Sequence, residues 1–297
     1  MRHSTAALET VWVDVPERAV EAYEAALLAV CATVGFFRDE TAENWRIEGV
    51  KQVGDNDAEL IGALALAEAV SGVAAPLMRA GVEAEGWLAR TYESFPEQLV
   101  GRRFSVRGTH LAGPGAAGRV VLTLDAGVAF GSGEHGSTRG CLRAFERVAY
   151  RRPRRILDIG TGSGILAMAA AKLLHRKVLA TDIEPWSVRV AARNARANGV
   201  GGLVRARLAD GWSHPVVRGS GPYDLVFANI LARPLCAMAR HLAAHLAPGG
   251  TVILAGLLNS QARMVLAAHR HHGLALDFAV REGNWTTLVL RSTANGR

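Results

Sequence analysis

Residues 156–164 read Ile156-Leu157-Asp158-Ile159-Gly160-Thr161-Gly162-Ser163-Gly164, and an alanine-rich run that begins at Ile165 follows them. The apolar run, the alternating glycines and the alanine-rich run predict a strand, a tight turn and the start of a helix. Glycine suits such a turn because it adopts positive φ angles and lets a ligand approach the main chain. Unpaired N–H groups at the start of the helix would face that ligand. The stretch therefore predicts the ligand-binding turn of an α/β fold.

A second acidic residue narrows the kind of ligand. Residues 178–182, Val-Leu-Ala-Thr-Asp, predict the next strand, and Asp182 ends it 22 residues beyond Gly160. In nucleotide-binding folds an acid at this place accepts hydrogen bonds from ribose hydroxyls. Dinucleotide-binding turns carry a third glycine where this chain has Ile165. The pattern resembles instead that of S-adenosylmethionine-dependent methyltransferases, which implies S-adenosyl-L-methionine as the cofactor.

Helical and strand patterns alternate from the glycine turn to the end of the sequence. Further strands are predicted at residues 204–208, 223–229, 250–255, 274–280 and 285–291. The last two are joined by a short loop, so they are expected to be antiparallel neighbours. We therefore expect an α/β protein with a Rossmann-like class I methyltransferase domain, built on a seven-stranded, mostly parallel sheet.

Charge divides the 297-residue chain into two parts. Residues 1–100 contain 17 acidic and 7 basic residues, whereas residues 101–297 contain 10 acidic and 27 basic ones. The order strand, helix, two strands and helix predicts a small α+β (ferredoxin-like) domain over residues 1–75, and its acidity favours substrate recognition. A linker helix is predicted over 76–95 and the methyltransferase domain over 96–297. Near the start of the last domain, residues 103–107 and 120–124 are expected to form a hairpin.

Several kinds of site and location are not supported by the sequence. No apolar run approaches the ~20 residues of a membrane span, and no secretory segment is apparent. Three separate cysteines indicate a reducing compartment, so we expect a cytoplasmic protein. His135 has no second ligand at metal spacing, and His269, His271 and His272 are expected at a solvated helix end. No metal site is therefore predicted.

The polar, glycine-rich loop at residues 125–138 precedes a predicted helix and is typical of a binding loop. Together with the glycine turn and Ala228-Asn229-Ile230-Leu231-Ala232, it resembles the PrmA family, the methyltransferases of large-subunit ribosomal protein eleven. The resemblance implies that Thr138, Gly160, Asp182 and Asn229 contact S-adenosylmethionine. Asp182 would hold the ribose, and Asn229 would also position the attacking amine. The family more often has Thr-His-Pro-Thr-Thr where this chain has Glu-His-Gly-Ser-Thr at 134–138.

The resemblance implies methylation of lysine side chains or the α-amine of a basic ribosomal protein. An alternative is a lysine methyltransferase of another protein, such as the electron-transfer flavoprotein β subunit. A nucleic-acid methyltransferase, suggested by the basic run at 151–155, is less favoured because residues 230–232 offer no aromatic ring to stack on a flipped base. We expect a monomer without a membrane partner or a direct nucleic-acid substrate. Glu134, His135 and bulk water are alternative acceptors of the amine proton.

Overall fold

The computed structural model describes residues 8–31, 33–39, 44–81, 96–109, 111, 113–124 and 136–293. The chain divides into two compact units, residues 1–89 and 90–297. Within the described residues, no helix is long and apolar enough to cross a membrane.

The N-terminal unit is a four-stranded antiparallel sheet with two helices. Its elements in chain order are β1 (Leu8–Pro16), α1 (Val20–Leu28), β2 (Thr33–Asp39), β3 (Asn44–Gln52), α2 (Asp57–Ser71) and β4 (Met78–Gly81). The strands lie in the order β2-β3-β1-β4, and every neighbouring pair is antiparallel. This is the ferredoxin-like arrangement, as the sequence predicted.

Strand β4 corrects the predicted linker helix. The helix expected from residue 76 is wrong over Met78–Gly81, which pairs with Glu9–Trp12 of β1. All four β4 residues are exposed, so local periodicity carries no signal of a strand. Pairing with β1 decides the conformation instead. The boundary predicted at residue 75 therefore falls inside the ferredoxin-like unit, and the rest of the predicted linker, 82–95, lies outside the described residues.

A charge network fastens β4 to the rest of this unit. Lys51 of β3 is almost fully buried, and its Nζ lies 3.0 Å from Oε1 of Glu9 and 2.9 Å from Oδ1 of Asp57. Arg79 of β4 reaches the same two carboxylates, at 3.3 and 2.9 Å. Three strands and helix α2 thus share four charges, an arrangement that the sequence pattern did not reveal.

The second unit is built on a seven-stranded sheet. Its strands are β8 (Ile156–Ile159), β9 (Val178–Asp182), β10 (Val204–Leu208), β11 (Tyr223–Asn229), β12 (Leu246–Leu258), β13 (Leu274–Glu282) and β14 (Trp285–Ser292). They lie in the order β10-β9-β8-β11-β12-β14-β13, with β14 antiparallel to both neighbours and the other neighbouring pairs parallel. The predicted mostly parallel sheet is confirmed. Its chain order reverses between β8 and β11, the place where such sheets bind ligands.

Helices cover both faces of this sheet. They are α3 (Gly136–Val148), α4 (Ile165–Leu174), α5 (Pro185–Ala197), the short α6 (Pro215–Arg218), α7 (Ala232–His245) and α8 (Ala262–Arg270). One core contains Phe104, Phe145 and Phe227, and the other contains Trp212 and Tyr223. Burial on both faces explains why β11 is almost continuously apolar.

A three-stranded sheet precedes the large one and corrects the predicted hairpin. It consists of β5 (Gln98–Val100), β6 (Phe104–Gly108) and β7 (Val120–Leu124). Strands β6 and β7 are parallel, because the connection between them runs back along the sheet before β7 begins. Arg107 fixes this connection by donating to the carbonyl oxygens of Gly113 and Leu111, at 2.9 and 2.6 Å.

The histidines near the end of α8 differ from one another. His271 and His272 are exposed, as predicted, but His269 is fully buried. Its Nδ1 lies 2.8 Å from the carbonyl oxygen of Val265, one turn earlier. Burial lowers the pKa of His269, so this histidine is a neutral core residue. The prediction of a solvated position is wrong because His269 lies on the inner face of an amphipathic helix.

Candidate functional site

The glycine turn between β8 and α4 has the backbone that its sequence predicts. Gly160, Gly162 and Gly164 have φ angles of +69°, +50° and +82°. A Cβ atom on Gly160 would lie 2.4 Å from Cγ2 of Ile230, which follows β11. Conformation and space therefore both require glycine at position 160, at the carboxyl edge of the sheet.

Asp158, in strand β8, holds the glycine turn in place through hydrogen bonds. It is buried, and its Oδ2 accepts hydrogen bonds from Oγ1 of Thr161 at 2.6 Å and from the backbone N–H of Ala167 at 3.1 Å. The end of β8 is thereby tied to the turn and to the first turn of α4. Burial raises the pKa of Asp158 to about 7, although these hydrogen bonds oppose the shift.

Asp182 lies beside the glycine turn. Its Oδ2 accepts from the N–H of Gly162 at 2.9 Å, and its Oδ1 accepts from the N–H of Glu184 at 3.0 Å. An ionised carboxylate has about four acceptor positions, so two further hydroxyl groups can bind to the same side chain. The structure thus brings Gly160 and Asp182, two residues named from sequence, to one edge of the sheet.

Asn229 and Thr138 form the other side of this edge. Ala228 pairs with Ile159 in the sheet, so Asn229, the last residue of β11, lies level with Gly160, which follows β8. Nδ2 of Asn229 donates to Oγ1 of Thr138 at 3.3 Å, and Thr138 is fully buried in the first turn of α3. All four residues predicted to contact the cofactor therefore lie along one edge.

The position of α3 depends on two glycines. A Cβ on Gly136 would lie 2.7 Å from Cδ1 of Trp285 and 2.9 Å from the carbonyl oxygen of Glu282. A Cβ on Gly140 would lie 2.3 Å from Oγ1 of Thr287. The helix therefore packs closely on β13 and β14, which explains glycine in place of the more common proline at position 136. Residues 125–135 of the predicted binding loop, with Glu134 and His135, lie outside the described residues.

Two exposed residues at the same edge were not predicted. Ile183 directly follows Asp182 and is 63% exposed. Asp210 follows β10, and the preceding Ala209 donates its N–H to the carbonyl oxygen of Asp182 at 2.9 Å. Their positions were visible in the sequence, since each lies within two residues of the end of a predicted strand whose carboxyl end reaches this edge. That both lie at the same edge as Asp182 follows only from the order of the strands in the sheet.

This edge fits an adenosyl group attached to a sulfonium. The glycine turn allows close approach of the ligand, Asp182 offers acceptors for ribose hydroxyls, and Ile183 offers an apolar surface for a ring. Among the described residues, no three His, Cys, Asp or Glu side chains are grouped so that they could hold a metal ion.

Comparison with known proteins connects this geometry to a family. The family model described as "Ribosomal protein L11 methyltransferase (PrmA)" matches residues 17–293. The chain is 48% identical over 211 residues to the ribosomal protein L11 methyltransferase of Bradyrhizobium diazoefficiens, covering 71% of each chain. It is 42% identical over 253 residues to that of Rhizobium meliloti, covering 85% of this chain and 86% of the relative.

A solved structure is also similar. The ribosomal protein L11 methylase of Lactobacillus delbrueckii subsp. bulgaricus superposes with a TM-score of 0.60 and 30% identity, covering 67% of this chain and 100% of that one. The family-model match, over residues 17–293, extends over the glycine turn, the seven-stranded sheet and part of the N-terminal unit. The chain therefore belongs to the ribosomal protein L11 methyltransferase (PrmA) family.

Proposed function

We propose that this protein transfers methyl groups from S-adenosyl-L-methionine to amino groups of ribosomal protein L11. The observation that carries the proposal is the continuous edge formed by Thr138, Asn229, Gly160 and Asp182. The substrate follows from the names of the relatives, which are ribosomal protein L11 methyltransferases.

The chain's own residues bind the cofactor by complementary features. Asp182 would accept from the ribose hydroxyls, while glycine at position 160 would allow close approach of the main chain. Ile183 would offer an apolar surface to the adenine ring, and Asp210 would provide a further acceptor. Thr138 holds the side chain of Asn229 by accepting from its Nδ2. The carbonyl Oδ1 of Asn229 then remains as the acceptor that can orient an amine.

When bound, S-adenosylmethionine supplies a methyl group on a positively charged sulfur, which an amine attacks in line while the carbon–sulfur bond breaks. The attacking amine must be neutral, although free lysine has a pKa of about 10.4 and an α-amine one of about 8. Asn229 would contribute by accepting a hydrogen bond from the amine and so orienting its lone pair. The proton that the amine loses passes to Glu134, His135 or bulk water, which remain alternatives.

The N-terminal unit offers a docking surface for a basic protein. Helix α2 is apolar almost all round, and Ile61, Leu66 and Val70 are 60, 66 and 73% exposed. An apolar face of this kind on a small unit indicates a protein contact. Exposed Glu59 and Glu68 on the same helix add the negative charge that favours a basic partner. We assign L11 as that partner.

The function is tested by transfer of a radiolabelled methyl group into purified L11, followed by mass spectrometry of the product. We expect label on amino groups of L11, and we expect Asp182→Ala to abolish it. The β subunit of the electron-transfer flavoprotein, added in equal amount, serves as the competing substrate. Label on the flavoprotein subunit alone would overturn the substrate assignment.

The docking surface has a separate test. Replacing Leu66 and Val70 with serine should raise the KM for L11 at least about tenfold and leave the KM for S-adenosylmethionine unchanged. Met264→Ser, an exposed apolar residue of α8, is the matched control. An unchanged KM for L11 would refute docking through α2. The expectation of a cytoplasmic monomer is tested by light scattering and cell fractionation.

A further inference from the structure

A basic cavity lies at the edge of the seven-stranded sheet opposite the glycine turn. Its volume is about 930 Å³, and it is lined by residues at the starts of β8, β9, β10 and β11. Six of the lining residues are basic, and all six are exposed: Arg154, Arg155, Lys177, Arg196, Arg205 and Arg207. The described residues that line the cavity include no Asp or Glu.

These cations are not used to hold the fold together. In the described parts of this unit, Arg139, Arg143 and Arg151 form ion pairs with acidic side chains, and none of the six cavity cations does. Arg151 therefore differs from the other residues of the basic run at 151–155, because its side chain donates a hydrogen bond to Asp277 at 2.6 Å. The backbone N–H groups of Arg154 and Arg155 donate to Asp224, which fixes the main chain and leaves both guanidinium groups exposed at the cavity.

The shape of the cavity fits an extended polyanion. Four neighbouring strands at a spacing of about 4.8 Å span roughly 14 Å. Successive phosphates of a nucleic-acid strand lie further apart than the ~3.4 Å rise along the helix axis, so this width accommodates a short run of phosphates. The loop before β10 contributes Gly201 and Gly202, and a Cβ on Gly202 would meet no heavy atom within 4 Å. A sugar-phosphate backbone can therefore approach the main chain there.

We propose that this cavity binds the sugar-phosphate backbone of RNA. The choice of RNA rests on the proposed function, since a ribosomal protein is found where RNA is the abundant polyanion. The bound RNA is not the methylated group, because strand β8 separates the cavity from Gly160 by four residues, or about 13 Å. Contacts to phosphates do not depend on the base sequence. The cavity would therefore hold the enzyme near RNA to which L11 is bound or will bind.

The test measures binding of the full chain to a fluorescent RNA hairpin over a series of salt concentrations. The variant replaces Arg154, Lys177 and Arg205 with glutamine. The matched control replaces Arg240, Arg263 and Arg270, three exposed arginines of α7 and α8, in the same way. Both variants lose three charges, so a difference between them reports the cavity and not the net charge.

The cavity variant should bind RNA at least about tenfold more weakly at 150 mM salt. The slope of log affinity against log salt should fall by roughly 2 to 3, while the control changes neither quantity by as much. Equal weakening of both variants, no binding by the unmodified chain, or binding to phosphatidylglycerol vesicles without binding to RNA would overturn the proposal. Methylation of free L11 by the cavity variant should stay unchanged, which separates failure of this proposal from failure of the proposed activity.

Discussion

Replacement of Gly160 by alanine tests the role of the glycine turn that follows β8. The substitution has two costs that the structure separates. A φ angle of +69° costs a residue with a Cβ about 1–2 kcal/mol. The new Cβ would also lie 2.4 Å from Cγ2 of Ile230, well inside ordinary contact distance. Overpacking of this kind costs about 1–3 kcal/mol, so the total destabilisation is about 2–5 kcal/mol.

Two further variants isolate these costs. Gly118→Ala carries the conformational cost alone, because Gly118 has a φ of +73° and open space around its missing Cβ. Ile230→Ala combined with Gly160→Ala removes the clashing atom. The remaining distance to Cβ of residue 230 is 3.9 Å, which is ordinary contact. The double variant should therefore regain about 1–3 kcal/mol relative to the sum of the single changes.

The assay is scanning calorimetry of the full chain, with attention to the transition of the larger unit. Gly160→Ala should lower its Tm by roughly 4 to 20 °C and Gly118→Ala by roughly 2 to 8 °C. Titration calorimetry should also show at least tenfold weaker binding of S-adenosylmethionine to Gly160→Ala, with Gly118→Ala unchanged. Equal effects of the two substitutions, or no recovery in the double variant, would refute the reasoning.

Three other predictions concern the acids of the site and the buried charges. Asp182→Ala should weaken S-adenosylmethionine binding about 100-fold, since two hydrogen bonds to a carboxylate contribute about 3 kcal/mol; an unchanged titration would exclude the ribose role. Lys51→Met should destabilise the N-terminal unit by about 3 kcal/mol because it leaves Glu9 buried with fewer partners. Asp14→Asn, which breaks an exposed ion pair, should cost under about 1 kcal/mol. Both effects are measured by hydrogen exchange of the β1 amides. The folded-state pKa of Asp158, about 7, lies above its ordinary value of 3.8, so its contribution to stability is present below pH 4 and is lost as pH rises towards 7. This loss of stability with rising pH is at most about 4 kcal/mol, and Asp158→Asn should make it smaller. If the urea midpoint of the variant shifts between pH 5 and pH 8 as much as that of the original protein, the prediction is contradicted.

The elements that follow from local sequence were predicted well. The glycine turn, the strand that ends in Asp182 and the β11 run need only their own residues to be recognised, because apolar periodicity and glycine act within a few positions. Asn229 and Thr138 are 91 residues apart, and only the family resemblance linked them before the structure joined their side chains.

The elements that failed depend on partners distant in sequence. Strand β4 has four exposed residues and is held by pairing with β1 and by the bonds of Arg79 to Glu9 and Asp57. The parallel pairing of β6 and β7 depends on the path of a long connection that Arg107 fixes. Glycine at position 136 is explained by Trp285, which lies on a strand 149 residues away. None of these contacts leaves a periodic signal in its own segment.

The larger unit separates charge between the two edges of its sheet. Three successive strands have a basic residue near their start and an acid near their end: Arg155 and Asp158 for β8, Lys177 and Asp182 for β9, and Arg205 and Asp210 for β10. Because the three strands are parallel, every acid reaches one edge and every base the other. The acidic edge suits a sulfonium and an incoming amine, whereas the basic edge suits a polyanion. One repeated sequence pattern therefore places the proposed methyl transfer and the proposed RNA contact on opposite edges, where neither ligand excludes the other.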